Sequence, residues 1–356
     1  MTHPDHAPIT DERERTIEFD FVRATENAAL NALPWLGKGD KNSADAAACD
    51  AIYGVFDVMD CRATVMIGEG IKDEAPGIFV GEKLGRWGAN GPHFDIALDP
   101  IDGTSNIANG LPNSISVIAA SATRDDGSHT MRHLPSFYVE KLAWGPEVTR
   151  WLATQGDSLG LDDPLEQTLH KVATALGKPV SELVVCTLNR PRHERTIATL
   201  RACGAAVRLI TDGDITAALA PSMPDSGIDL YLGIGGATEA VLTATALKTL
   251  GGEMLVRMWP RDAEERVSLL QDCTQEELNA VLRTNDLVSG SSAVFCATGI
   301  SDSPLLPGVK IAGGKVITSS ILLRAHSRTI RYMRTVHELG HKVIPLRSKG
   351  AAPQNR

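Results

Sequence analysis

The chain has 356 residues, 43% of them hydrophobic and 22% charged, with a formal net charge of −9 at pH 7. A chain of this length builds a large core in two domains or one big one, and its residue balance is that of a soluble globular protein. The acidic excess argues against general nucleic-acid binding, which needs a positive footprint, and no apolar stretch approaches the roughly 20 residues of a membrane span.

Met1 to Thr10 lack the basic start and apolar middle of a signal peptide. From Asp11 to Leu33, the residues Ile17, Phe21, Ala24, Ala28 and Leu33 recur at helical spacing, and Pro34 ends that predicted helix. A second helix is expected from about Ser43 to Met59, with Ile52, Phe56 and Met59 on its buried side. Thr64-Val65-Met66-Ile67 reads as a strand ending at Gly68-Glu69-Gly70, and a later apolar run delivers Asp99. Ser114 to Ser121 alternates through Ile115, Val117 and Ala119 as another strand. These elements predict an α+β first domain over residues 1–182, where two carboxylate-bearing strand ends and a helix carrying Asp45 converge.

After about Val180 strands and helices alternate. The expected order is strand 183–188, helix 192–203, strand 206–210, helix 215–219, strand 228–232 and helix 238–250. Such alternation predicts a parallel sheet covered on both faces, an α/β second domain over residues 183–356. Ligands gather at the carboxyl ends of strands in such a sheet, where Arg192, Asp214 and Glu239 would lie. The six cysteines show no C-x-x-C pair and no zinc-ligand spacing, so they read as reduced thiols in a cytoplasmic protein.

The segment Asp95-Ile96-Ala97-Leu98-Asp99-Pro100-Ile101-Asp102-Gly103-Thr104-Ser105-Asn106 carries the most chemistry. A buried strand ends in two carboxylates three residues apart, then a glycine and a hydroxyl. Carboxylates at a rigid strand end suit a hard cation such as Mg²⁺ or Mn²⁺. Gly103 lets backbone approach a phosphate, and Thr104 offers a hydroxyl where an attacking water would sit. An Asp-Pro-x-Asp-Gly surface turn is the alternative reading of the same residues.

This motif resembles that of the lithium-sensitive sugar phosphatases, the superfamily of inositol monophosphatases and fructose-1,6-bisphosphatases. Gly39 to Asp45, Ile67 to Gly70 with Asp73-Glu74-Ala75-Pro76, and Arg190-Pro191-Arg192-His193 resemble the class II fructose-1,6-bisphosphatases. So do Asp212-Gly213-Asp214, Gly233 to Glu239 and Ser291 to Gly299, all in the expected order, from about Ile17 to about His341. The W-D-x-[AS]-[AG] motif of the inositol monophosphatase branch is not found, and Glu239 stands where a late metal ligand is needed.

The resemblance implies a layered α-β-α-β-α sandwich and two or more Mn²⁺ or Mg²⁺ ions per active site. Asp45 and Glu69 would hold one metal, and Asp99, Asp102 and Glu239 the other. Thr104 would orient or deprotonate the attacking water, Lys41 would neutralise phosphate or steady a ligand, and Asp73 would be a proton acceptor or a ligand's partner. Asp102, Gly103, Thr104, Tyr138, Arg190, Pro191, Arg192, Asp212, Gly213, Asp214 and Gly236 would bind substrate, the arginines taking the second phosphate. The class often carries glutamate at the position of Asp102; the shorter aspartate would shift the second metal or demand a bridging water.

The expected reaction is hydrolysis of the 1-phosphate of fructose 1,6-bisphosphate in gluconeogenesis. The alternative is a dual enzyme that also cleaves sedoheptulose 1,7-bisphosphate in the Calvin cycle. A non-catalytic sugar-phosphate sensor is the rival of another class, but it has no need of a water-activating group. A homo-oligomer, dimer or tetramer, acting on a small sugar bisphosphate completes the expectation.

Overall fold

The structure, a computed structural model, describes residues 17–68, 78–88 and 91–347. Glu69 and Asp73 lie outside the described residues. The described chain opens with α1 (Glu18–Ala32) and α2 (Lys41–Phe56). The latter starts two residues before the expected Ser43, because Asp40 caps it by accepting from Ser43 N at 2.9 Å.

Next come β1 (Arg62–Ile67), β2 (Lys83–Leu84), β3 (His93–Asp102), α3 (Thr104–Asn109), β4 (Ile115–Ala122) and β5 (Tyr138–Trp144). Two helices, α4 (Pro146–Gln155) and α5 (Leu165–Leu176), lead into an alternating stretch. It runs β6 (Val184–Leu188), α6 (Glu194–Ala202), β7 (Ala206–Ile210), α7 (Asp214–Leu219), β8 (Leu230–Gly236), α8 (Ala237–Leu250) and β9 (Glu253–Met258). After α9 (Ala263–Asp272), α10 (Gln275–Asn279), β10 (Leu282–Arg283) and α11 (Thr284–Leu287) the chain adds four strands. These are β11 (Ala293–Gly299), β12 (Lys310–Ala312), β13 (Lys315–Arg324) and β14 (Thr329–His337).

The strands form two sheets. The first is eight-stranded, ordered β12-β13-β11-β4-β3-β1-β2 with β14 also on β13, and the second six-stranded, ordered β10-β9-β5-β8-β6-β7. The second sheet is mixed rather than parallel, which corrects the expectation: β6 pairs parallel with β7 and β8, but β5 runs antiparallel to both β8 and β9. β5 arrives from the first half of the chain without a βαβ crossover, so nothing requires it to run parallel. Nor do the sheets follow the expected division at 182/183. β5 precedes it yet lies in the second sheet, and β11 to β14 follow it yet lie in the first.

Three apolar clusters stack the layers. One packs α1 and α2 on the outer face of the first sheet, through Phe21, Ile52, Phe56, Ile96 and Leu98. Another fills the space between the sheets, where α7 and α8 bury Ile215, Val241, Leu242 and Leu247 against Val117, Phe295, Val139 and Tyr231. The third joins α4, α5 and α6 to the far face of the second sheet, through Leu152, Leu169, Leu200 and Leu230. The result is an α/β protein with the expected succession of helix and sheet layers. Among the described residues no helix is long and apolar enough to cross a membrane.

Candidate active site

β3 is buried along almost its whole length, so only its end has anything to offer. In a regular strand residues 99 and 102, an odd number apart, would point to opposite faces. The pairing with β4 breaks that rule: Asp99 faces Val117 and Asp102 faces Ile115, so two residues, Pro100 and Ile101, oppose one. This bulge restores Asp99 and Asp102 to the same face. Proline suits the position because it has no N–H to give a ladder. Ile101 N donates to Asp99 Oδ1 at 2.9 Å and fixes that carboxylate against the bulge.

A third acid comes from the helix that follows β8 of the second sheet. Glu239 sits in the first turn of α8, where the helix dipole favours a negative charge. Carboxylate oxygens of Asp99, Asp102 and Glu239 all lie within 4.8 Å of one another. Glu239 folds back over the end of β8, and a Cβ on Gly236 would stand 1.8 Å from its Oε2. Gly235 is similarly constrained, since its Cβ would stand 1.8 Å from Asp214 Oδ2. The glycines at the end of β8 make room for two carboxylates.

Asp214 opens α7, and Lys141 Nζ donates to its Oδ2 at 2.8 Å; both residues are buried. Tyr231 OH donates to the same oxygen at 3.3 Å. Burial, then the charges of Asp214, Glu239 and Asp212, push the Asp102 carboxyl well above the usual range, with Lys141 opposing. Burial, followed by Asp214, pushes Glu239 up to about 7. Several acids thus crowd one another, and their repulsion is relieved by a multivalent cation or by protons.

The residues present fit a divalent cation. The three-carboxylate cluster is the donor set that hard cations take, and the Oδ1 atoms of Asp214 and Asp45 are buried with no partner among the described residues. Asp45 lies on α2, which packs beside α3 and β3, and burial raises its carboxyl to about 6. It does not join the cluster of Asp99, Asp102 and Glu239. Lys41 is the first residue of α2, so Lys41 and Asp45 stand one turn apart on one face, Lys41 exposed.

Thr104 is the first residue of α3 and is half-buried. The cap position belongs to Gly103, left-handed at φ 94°, so the Thr104 hydroxyl is not the helix cap. A Cβ on Gly103 would strike Asn113 O at 2.5 Å. Asp212 turns toward the start of α3 and accepts from Ser105 N at 3.1 Å. Its own carbonyl accepts from Asn113 Nδ2 at 2.7 Å and from Asn106 Nδ2 at 3.2 Å, while Asn113 Nδ2 also reaches Gly213 O at 2.8 Å. These bonds bind the Asp212-Gly213-Asp214 turn to the helix that carries Thr104.

Arg190 and Arg192 follow β6, Arg190 just before and Arg192 within the 3-10 turn Pro191–His193, so α6 begins at Glu194 instead of the expected Arg192. Arg192 lies over the Tyr138 ring at 4.9 Å and donates to Ile234 O at 2.8 and 3.2 Å. Tyr138 in turn pairs with Gly236 across the ladder. His193 is buried, with Nδ1 at 2.9 Å from Leu188 O and Nε2 accepting from Ile234 N at 2.7 Å. It ties β8 to the arginine turn as a neutral imidazole, and burial lowers its pKa. A cleft of about 880 Å³ opens beside these groups, lined by Gly68, Arg132, His133, Tyr138, Gly236 and Glu239 among others. That volume accommodates a small bisphosphorylated sugar.

Lys141, Tyr231 and Asn113 were not anticipated from sequence, and Asn106 and His193 stood in the quoted motifs without a role. Of the first three only Lys141 left a signal, a charge within the otherwise apolar end of a strand, Lys141-Leu142-Ala143-Trp144.

The raised carboxyls carry a consequence for pH. Each adds stability that is full below its unfolded pKa near 4 and is lost as pH rises through the folded values of about 6 and 7. A divalent cation binds the ionised forms and reverses that loss. The gain in Tm on adding Mn²⁺ to chelator-treated protein is therefore expected to grow between about pH 5 and pH 8. An equal gain at both ends would show that these carboxyls do not meet the cation.

Residues 15–337 match the family described as bacterial fructose-1,6-bisphosphatase, glpX-encoded. The chain is 41% identical over 336 residues to the protein of Haemophilus influenzae named fructose-1,6-bisphosphatase class 2, covering 91% of this chain and 97% of that one. It is 39% identical over 339 residues to fructose-1,6-bisphosphatase 1 class 2 of Escherichia coli strain K12, covering 92% and 97%.

Proposed function

The chain belongs to the bacterial, glpX-encoded fructose-1,6-bisphosphatase family, and from that premise we propose how its residues carry the reaction. The enzyme is a metal-dependent phosphatase that hydrolyses fructose 1,6-bisphosphate to fructose 6-phosphate and phosphate, a step of gluconeogenesis. The comparisons carry no support for a dual role in the Calvin cycle.

The observation behind the mechanism is the meeting of Asp99 and Asp102 with Glu239 across the two sheets. These three would hold one divalent cation, Mn²⁺ or Mg²⁺, and Asp45 with Glu69 would hold a second. When bound, such ions supply an activated water and screen the phosphoryl oxygens. The water oxygen bonds to phosphorus as the bond to the sugar O1 breaks, and O1 takes up the proton that the water gives up. Thr104 Oγ1 orients the water, and the start of α3 with Gly103 receives the phosphoryl group. Lys41 neutralises phosphate charge or steadies Asp45, and Asp73 accepts a proton or backs a ligand. Arg190 and Arg192, with Tyr138 and the Pro191 turn, take the 6-phosphate as a forked cationic pair. Asp212, Gly213, Asp214 and Gly236 contact the sugar.

We read the six cysteines, which show no C-x-x-C pair and no zinc-ligand spacing, as reduced thiols in a cytoplasmic setting. A homo-oligomer, dimer or tetramer, goes with this reading and is measured by light scattering. Phosphate release from fructose 1,6-bisphosphate, sedoheptulose 1,7-bisphosphate and inositol 1-phosphate tests the whole. Turnover of the first, abolished by EDTA and restored by Mn²⁺ or Mg²⁺, is expected, with little from inositol 1-phosphate. Full activity in excess EDTA would sink the two-cation account.

A further inference from the structure

Lys141 has no place in the reaction as written, yet it is built into the middle of the site. It lies in β5 between Val139 and Ala143, both part of the apolar core between the sheets, and only 1% of its surface is exposed. An ammonium is retained in such surroundings only where a counter-charge meets it. Here that is Asp214 Oδ2, at 2.8 Å. Tyr231 holds the same oxygen at 3.3 Å, and Gly235 leaves no space for a Cβ beside it. Asp214 Oδ1 is also buried but has no partner among the described residues. One oxygen is clamped by a lysine and a tyrosine while the other is an unused acceptor.

Asp214 neighbours Asp102 and Glu239 closely enough to disfavour their ionised forms. Left unrestrained, its carboxylate is a ready additional ligand for any cation those residues hold. We propose that Lys141 is a positioning residue: with Tyr231 it holds Asp214 by Oδ2, keeps it off the cation, and presents Oδ1 to a sugar hydroxyl of the substrate. A neutral donor would orient Asp214 equally well; only a fixed positive charge also competes with the cation for it. The inference rests on the reading of Asp214 as a substrate contact.

The test combines kinetics on fructose 1,6-bisphosphate at saturating Mn²⁺ with calorimetric Mn²⁺ titration of metal-free protein, for wild type, Asp214→Asn, Lys141→Met and the double variant. Each single change is expected to raise KM about tenfold or more, the scale of a hydrogen bond to a charged group, with a much smaller change in kcat. The double variant is expected to match Asp214→Asn, because Lys141 acts through Asp214. Lys141→Met is expected to bind Mn²⁺ as tightly as wild type or more tightly.

An unchanged KM in Lys141→Met beside a raised one in Asp214→Asn overturns the proposal alone. So does a double variant whose KM rises by the product of the single effects, or weaker Mn²⁺ binding in Lys141→Met. An unchanged KM in Asp214→Asn removes the substrate reading of Asp214, and the proposal with it. Should Lys141→Met not fold, Lys141→Leu, which likewise removes both the donor and the charge, takes its place under the same criteria.

Discussion

Replacing Asp99 by Asn is expected to lower kcat/KM for fructose 1,6-bisphosphate by about 10³-fold, the effect of losing several kcal/mol of metal-assisted charge stabilisation. The substitution keeps the size of the side chain and its acceptor toward Ile101 N, so the bulge that turns Asp99 and Asp102 to one face is preserved. What is lost is one negative charge from a cluster whose oxygens lie within 4.8 Å of one another. Circular dichroism and Tm of the metal-free variant check that the fold survives. Raising Mn²⁺ is expected to recover part of the rate. Phosphate release within about threefold of wild type would mean that the cluster is an acidic patch without a catalytic cation, since loss of a metal ligand costs far more.

Thr104→Ala is expected to lower kcat roughly 10²–10⁴-fold, the range for a positioned group that manages a proton in the transition state, with KM little changed. Thr104→Ser keeps the hydroxyl and is expected to retain much of the activity. The structural position sharpens this test. Gly103, not Thr104, occupies the cap of α3, so removing the hydroxyl takes away no capping bond, and a large loss of rate cannot be assigned to a frayed helix. Equal kcat for the alanine variant and wild type would leave the attacking water to be oriented by other groups.

Much of this arrangement was legible in the chain because it depends on local patterns. An apolar run ending in Asp99-Pro100-Ile101-Asp102-Gly103-Thr104 announces both a buried strand and its chemistry. The hidden part was how two acids three residues apart come to share a face. That depends on a bulge, which shows only when β4 is paired opposite β3. The glycines of β8 were visible as a motif, but their reason lies in carboxylates from α7 and α8 that approach within a Cβ's reach. The mixed second sheet was missed because strand direction is set by partners distant in sequence, and β5 inserts from the other half of the chain. Asn113 shows the limit most plainly. It carries φ 78° and bonds to Asp212 and Gly213 about a hundred residues away, and no periodicity marks such a residue.

The central claim is that acids from both sheets hold one cation between them. Anomalous diffraction from crystals grown with Mn²⁺ tests it most directly, because the metal is located without reference to activity. The account predicts a peak within about 2.6 Å of carboxylate oxygens from Asp99, Asp102 and Glu239 together, and its loss in Glu239→Gln crystals at the same Mn²⁺ concentration. A protein that turns over fructose 1,6-bisphosphate with its Mn²⁺ bound elsewhere, and no peak among these three residues, would contradict it.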